Sequence, residues 1–259
     1  MHPIFGVALV ATTLLSFAPS NAFAADDEPA AVPYRPSVST PAALSAPGWI
    51  EIEAGLLHEH EGSPASRDSV PATIKLAFSP DWGIRAGADA WVRQRDDAGH
   101  RTSGIGDTAV VVKRRLAVDD ANAFGLEAAV VLPTARRGLG ESQAAYGVNG
   151  IYSGDFGRWH TDINIVATRS GDADPGTSRL QWLGAASLST ALDERWGVVG
   201  ELSGTNQRGV DATRQLLVAA SYNVSKRLVL DAGAARSLRS GTPTWSAFAG
   251  FTWLAGRVF

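Results

Sequence analysis

The chain has no cysteine, a single methionine and, beyond its first two dozen residues, no apolar run long enough for a helical membrane span. Without thiols there is no disulfide framework, no cysteine nucleophile and no Cys-ligated metal site. Without a long apolar run, a helical membrane protein is excluded. Charge is sparse as well: charged residues are 19% of the 259 and nearly cancel, to a net −3. No basic patch interleaved with aromatics occurs, so nucleic acid is not an expected partner. Yet 45% of the chain is hydrophobic, so the informative question is how those residues are spaced.

From Trp49 to Phe259 the spacing is two. Ile50, Ile52, Ala54 and Leu56 alternate with Glu51 and Glu53; Val70, Ala72, Ile74, Leu76 and Phe78 alternate with Thr73 and Lys75; Ile84, Ala86, Ala88, Ala90 and Val92 alternate with Arg85, Asp89 and Arg93. Further stretches of this kind are Gly104 to Leu116, Phe124 to Leu132, Tyr146 to Ser153, Trp159 to Thr168, Leu180 to Thr190, Trp196 to Ser203, Thr213 to Tyr222, Leu228 to Ala235 and Trp245 to Leu254. Connections alternate between tight, such as Ser79-Pro80-Asp81-Trp82 and Gly154 to Arg158, and longer and polar, such as His58 to Ser69 and Pro133 to Ser142. About ten residues per strand and this turn rhythm are expected of an all-β, up-and-down antiparallel transmembrane β-barrel with about twelve strands. Short turns belong on the periplasmic side, where both termini would lie. Phe78, Trp82, Phe124, Phe156, Trp159, Trp196, Tyr222 and Trp253 all flank proposed short turns or the terminal end, as an interfacial girdle would.

Ahead of the barrel, residues 1–24 read as a secretory signal peptide: an apolar centre from Ile4 to Phe17, then Pro19 and Ala22-Phe23-Ala24. Its n-region carries no Lys or Arg. Residues 25–48 hold Pro29, Pro33, Pro36, Pro41 and Pro47 among Ala and Ser and read as a short disordered periplasmic arm, with a docking arm or lumen plug as the alternative. The barrel is residues 49–259.

Parity places Glu51, Glu53, Lys75, Arg85, Asp89, Arg93, Asp107, Lys113, Arg115, Glu127, Asp162, Asn164, Gln215, Glu201 and Asp231 toward the lumen. These charges either fill the interior as cross-strand pairs or face water and sort solutes. A hairpin centred on Asp119-Asp120 would set Lys113 opposite Glu127.

Gly104-Ile105-Gly106-Asp107-Thr108 followed by Lys113, Val131-Leu132-Pro133-Thr134, and Thr242-Pro243-Thr244-Trp245 together resemble the outer-membrane proteins grouped as the MetA-pathway of phenol degradation family. The resemblance spans Trp49 to Phe259. It implies a barrel that admits aromatic or other small, poorly polar compounds, and it brings no catalytic motif. Gly104 and Gly106 also permit a bend or bulge in a strand, where an apolar solute could leave sideways into lipid.

The function expected is a monomeric, passive or weakly selective outer-membrane channel for a small-molecule solute, surrounded by outer-membrane lipid. The alternative is a non-conducting structural or surface barrel. Terminal Phe259, with Phe251, Trp253 and Ala255 in the same parity, fits recognition by the barrel assembly machinery, although Arg257 breaks the apolar run. Neither a cofactor nor an enzyme activity is expected. His58-Glu59-His60-Glu61 reads as a solvated loop rather than a metal site, and His160, Asp162 and Asn164 share a face without a fixed Ser beside them.

Overall fold

A computed structural model describes residues 28–62, 65–238 and 244–259. The expected signal peptide, part of the arm and Thr242-Pro243 of the last motif lie outside the described residues. The strands are β1 (Trp49–Gly62), β2 (Ala65–Ala77), β3 (Trp82–Arg95), β4 (Arg101–Gly104), β5 (Thr108–Ala117), β6 (Asn122–Leu132), β7 (Ala145–Phe156), β8 (Trp159–Arg169), β9 (Leu180–Ala191), β10 (Trp196–Gln207), β11 (Gln215–Ser225), β12 (Leu228–Ser237) and β13 (Trp245–Arg257). Apart from β4 and β5, which do not pair with each other, each pairs antiparallel with its neighbours in sequence, and β13 closes the ring on β1. Both β4 and β5 lie on β3 and occupy one place in the wall, so the ring has the expected twelve staves.

The two faces separate as the alternation requires. Leu56, Ile74, Leu126, Val148, Ile165, Leu202 and Val218 are all more than half exposed on the outside, an apolar area that water would not support and lipid does. Glu51, Lys75, Lys113, Glu127 and Glu201, on the opposite parity, are at most 2% exposed. The aromatics of the expected girdle sit at the short-turn end, Trp196 against Tyr222 with ring centroids 4.9 Å apart. Along β3, Trp82 and Trp91 are nine residues apart, which at a typical strand tilt spans about 21 Å, close to the height of an outer-membrane apolar band.

Four details differ from the sequence reading. The stretch from His58 to Ser69 is mostly ladder rather than loop, because β1 and β2 continue above the membrane with Glu59 opposite Arg67 and His58 opposite Asp68. Water wets both faces there, so no alternation marks it. The stave read as Gly104 to Leu116 breaks at Ile105 to Asp107. A Cβ on Gly106 would stand 2.9 Å from the Asp89 Cβ, so this close crossing needs glycine. The third difference is a register shift opposite Val70 and Pro71, whose partners are Trp91 and Asp89; Ala90 is the extra residue of a β-bulge. It inverts the parity above it. Arg93, expected in the lumen, therefore points outward and Val92 inward, fully buried. The fourth is the arm.

Candidate functional site

Four buried carboxylates around one end of the lumen would each cost several kcal/mol if left unpaired. Glu51 and Glu53 come from the first half of β1, Glu201 from the middle of β10 and Asp231 from the first half of β12. Their partners come largely from residues 28–48. Over these residues the segment expected as a flexible periplasmic arm is instead threaded along the inner wall.

The Val32 amide donates to Glu51 Oε2 and the Tyr34 amide to Glu53 Oε1, both at 2.7 Å. Arg35 meets Asp231 with two parallel bonds, Nε to Oδ2 at 3.1 Å and Nη2 to Oδ1 at 3.0 Å. On the far side, Glu201 accepts from the amides of Val38 (3.0 Å) and Ser39 (2.8 Å) and from the Ser39 hydroxyl (2.7 Å). The Thr40 amide donates to Asn164 Oδ1 at 2.5 Å and the Ala42 amide to the Ser153 hydroxyl at 2.7 Å. The arm thus touches staves right around the ring. Its prolines explain how: they keep the segment extended and remove amides that would otherwise need partners of their own. The wall makes room at Gly55 and Gly250, where a Cβ would come within 2.8 and 2.7 Å of the Arg35 guanidinium.

Tyr34 is the hub. Its ring lies 3.8 Å from Lys75 Nζ and 4.2 Å from Lys113 Nζ, and its hydroxyl accepts from Lys113 at 3.0 Å and donates to the Ala43 carbonyl at 2.8 Å. Lys75 also bridges Glu51 (2.5 Å) and Glu53 (2.7 Å). Lys113 stands opposite Glu127, as the hairpin predicts, with Nζ 3.4 Å from its carboxylate and a further bond to the Pro41 carbonyl. Arg85 and Asn149 hold the other Glu127 oxygen at 3.1 and 3.0 Å. Such cation–π and charge-assisted contacts are strongest when desolvated.

The remaining expected lumen residues divide. Asp89 pairs with Arg67 at 2.6 Å in the upper lumen. Asp107 accepts from the Ala135 and Glu141 amides and fastens the 133–142 loop over the stave break, with Leu139 buried beside Gly104. Arg115 is half-buried near the short-turn end, and Gln215 is half-buried at the start of β11. Asp162 lies between the Ser153 hydroxyl (2.5 Å) and His160 Nε2 (3.2 Å). That order puts the carboxylate rather than the imidazole beside the hydroxyl, so serine and histidine do not form a nucleophile–base pair here.

Sequence reading missed Tyr34, Arg35 and Ser39. One signal was available: acids outnumber bases in the inward set, so the balance of donors had to come from somewhere other than the wall.

A family profile described as "Putative MetA-pathway of phenol degradation" matches residues 58–255. Among solved structures, an outer-membrane channel from Pseudomonas putida F1 is similar with a TM-score of 0.66 at 14% identity, covering 82% of this chain and 97% of that one. The NanC porin gives 0.58 at 11% identity, covering 79% and 98%. The KdgM porin bound to a disordered oligogalacturonate gives 0.55 at 11% identity, covering 79% and 99%. At these identities the likeness is one of fold: this is an outer-membrane barrel. No curated protein sequence matches.

Proposed function

The chain belongs to the MetA-pathway of phenol degradation family, and from that premise we propose that it is an outer-membrane channel for passive uptake of small molecules, with aromatic or other poorly polar compounds as its substrate class. The observation that carries this reading is a lumen lined by fixed charges and narrowed by residues 28–48. A bore filled in this way restricts passage to small solutes, which exchange bulk water for polar groups on the wall. No catalysis and no energy source enter this reading. The lumen charges act chiefly as scaffolding for the arm in the lower half, and Asp89 with Arg67 faces the route in the upper half. We further propose that the barrel works as a monomer and that Phe259, which is 61% exposed at the end of β13, is read by the assembly machinery.

The test is solute influx into liposomes holding the full folded chain, with arabinose and benzoate as probes, beside the same chain lacking residues 28–46. Entry in both, faster without the arm, is the expected result. Entry only without the arm would make the arm a closed gate. Entry in neither would support the non-conducting surface barrel.

The stave break favours a side route for the most apolar solutes. At the break the Gly106 amide still bonds the Asp89 carbonyl at 2.8 Å and the Arg136 amide of the covering loop bonds the Ile105 carbonyl at 3.1 Å; what stays open is the outer edge of β4, which has no strand beside it, and Ile105, which is 54% exposed. If solutes leave there, Ile105→Trp slows uptake of apolar aromatics while ion conductance holds. Equal effects on both would remove the side route.

A further inference from the structure

At the extracellular ends of β7 and β8 the outer surface carries two arginines that the barrel does not use. Arg169 ends β8 directly opposite Tyr146 on β7, and Tyr146 shares its outward parity with Val148. Across the loop stem the Ser170 amide donates to the Arg179 carbonyl at 2.9 Å, which brings Arg179 beside Arg169. Both side chains are exposed, and both line a cavity of about 290 Å³ with Tyr146, Gln143 and Ser170. Neither guanidinium has an ion pair among the described residues. Of the loop's two acids, Asp172 is engaged by the Ser142 hydroxyl, and Asp174 forms no ion pair with either arginine among the described residues.

Two like charges gathered around one concavity repel each other unless an anion lies between them. Guanidinium groups suit phosphate in particular, because each offers parallel N–H donors to two oxygens. The height of the cavity identifies the source. Leu180 faces Arg169 across the ladder, and Trp182, 49% exposed, lies one outward position closer to the membrane centre. Trp182 and Tyr146 mark the extracellular interface, so the cavity opens at the level of lipid headgroups and outside the lumen. We propose that Arg169 and Arg179, with Tyr146, form a binding site for a phosphate group on the headgroup of an outer-leaflet lipid. Basic pockets at a membrane interface take anionic headgroups in this way.

The experiment uses the full folded chain in neutral detergent, mixed with diphosphorylated lipid A and examined by native mass spectrometry. The wild type should retain one more lipid than R169Q/R179Q, whose affinity at this site should fall about twenty-five-fold, the product of about five-fold for each arginine at an anionic surface. The control R114Q/R158Q removes the same charge at the periplasmic end and should retain the wild-type number. Both changes lie at exposed positions, and the heat-modifiable mobility of the barrel on gels checks that each variant is folded. Equal lipid retention by R169Q/R179Q and wild type would overturn the proposal. Equal retention of dephosphorylated lipid A would overturn it too, as would binding of inorganic phosphate without lipid A.

Discussion

Replacing Glu201 by alanine removes the acceptor of three bonds from the arm: the Val38 amide at 3.0 Å, the Ser39 amide at 2.8 Å and the Ser39 hydroxyl at 2.7 Å. Hydrogen bonds to a charged acceptor contribute roughly 1.5–3 kcal/mol each, but water entering the vacated space re-solvates the freed donors, so about 1 kcal/mol apiece is the better figure. The balance between seated and released arm should therefore move by about 3 kcal/mol, a little over 100-fold. Because the chain has no cysteine, Ala42→Cys gives a single reporter at a position fully buried while the arm is seated, and its labelling by a water-soluble thiol reagent scales with the released fraction. Glu201→Ala should raise that rate about 100-fold. In planar bilayers the same variant should add larger, intermittent conductance steps to the wild-type level. Unchanged labelling together with unchanged conductance would refute the view that Glu201 seats the arm. A chain lacking residues 28–46 that conducts like the wild type would refute the view that the arm narrows the bore.

Lys75→Met leaves Glu51 and Glu53 without the ammonium that bridges them at 2.5 and 2.7 Å, so unfolding by urea in lipid should show a loss of about 3–5 kcal/mol. The triple change adding Glu51→Gln and Glu53→Gln should recover most of it; a loss below about 1 kcal/mol for Lys75→Met would contradict the pairing. Ion selectivity, read as the reversal potential across a salt gradient, should become less cation-favouring in Asp89→Asn and more so in Arg67→Gln. Arg93→Gln should leave it unmoved, since the bulge turns that side chain outward, and a shift there would return Arg93 to the lumen. In the short turns, the Asn122 side chain and the amides of Ala121 and Asn122 hold the Asp119 carboxyl below the usual carboxylate range; the Trp196 and Arg195 amides do the same for Asp193. A depressed folded value means that each turn's extra stability is present above the unfolded value of about 3.9 and is lost as pH falls through the folded one. Carboxyl-carbon titration by NMR should place both midpoints below about 3.9, and midpoints at or above it would contradict the turn geometry.

The twelve staves, their inward and outward faces and the aromatic girdle at the short-turn end were legible in the sequence, because each depends on residues close together in the chain. A period of two fixes which side chains share a face, and Ser79-Pro80-Asp81-Trp82 or Gly154 to Arg158 turns the chain with its own backbone and side-chain donors. The Lys113–Glu127 pair was legible for the same reason: a short hairpin sets its register. The Ala90 bulge was not legible, since one extra residue shifts every side chain above it while leaving the local composition unchanged. Nor was the ladder above the membrane, where Glu59 and Arg67 carry no apolar contrast.

The arm marks the boundary most clearly. Its own sequence determines only that prolines keep it extended and unable to join a sheet. Whether such a segment hangs free or lies in the lumen depends on partners far along the chain: Ser39 meets a glutamate 162 residues away, and Arg35 an aspartate 196 residues away. Those carboxylates become neighbours only when the ring closes, and closure is also what strips them of water. From that moment the amides and the guanidinium of the arm are the donors within reach, and this tertiary condition, rather than anything local to residues 28–48, places the segment inside the bore.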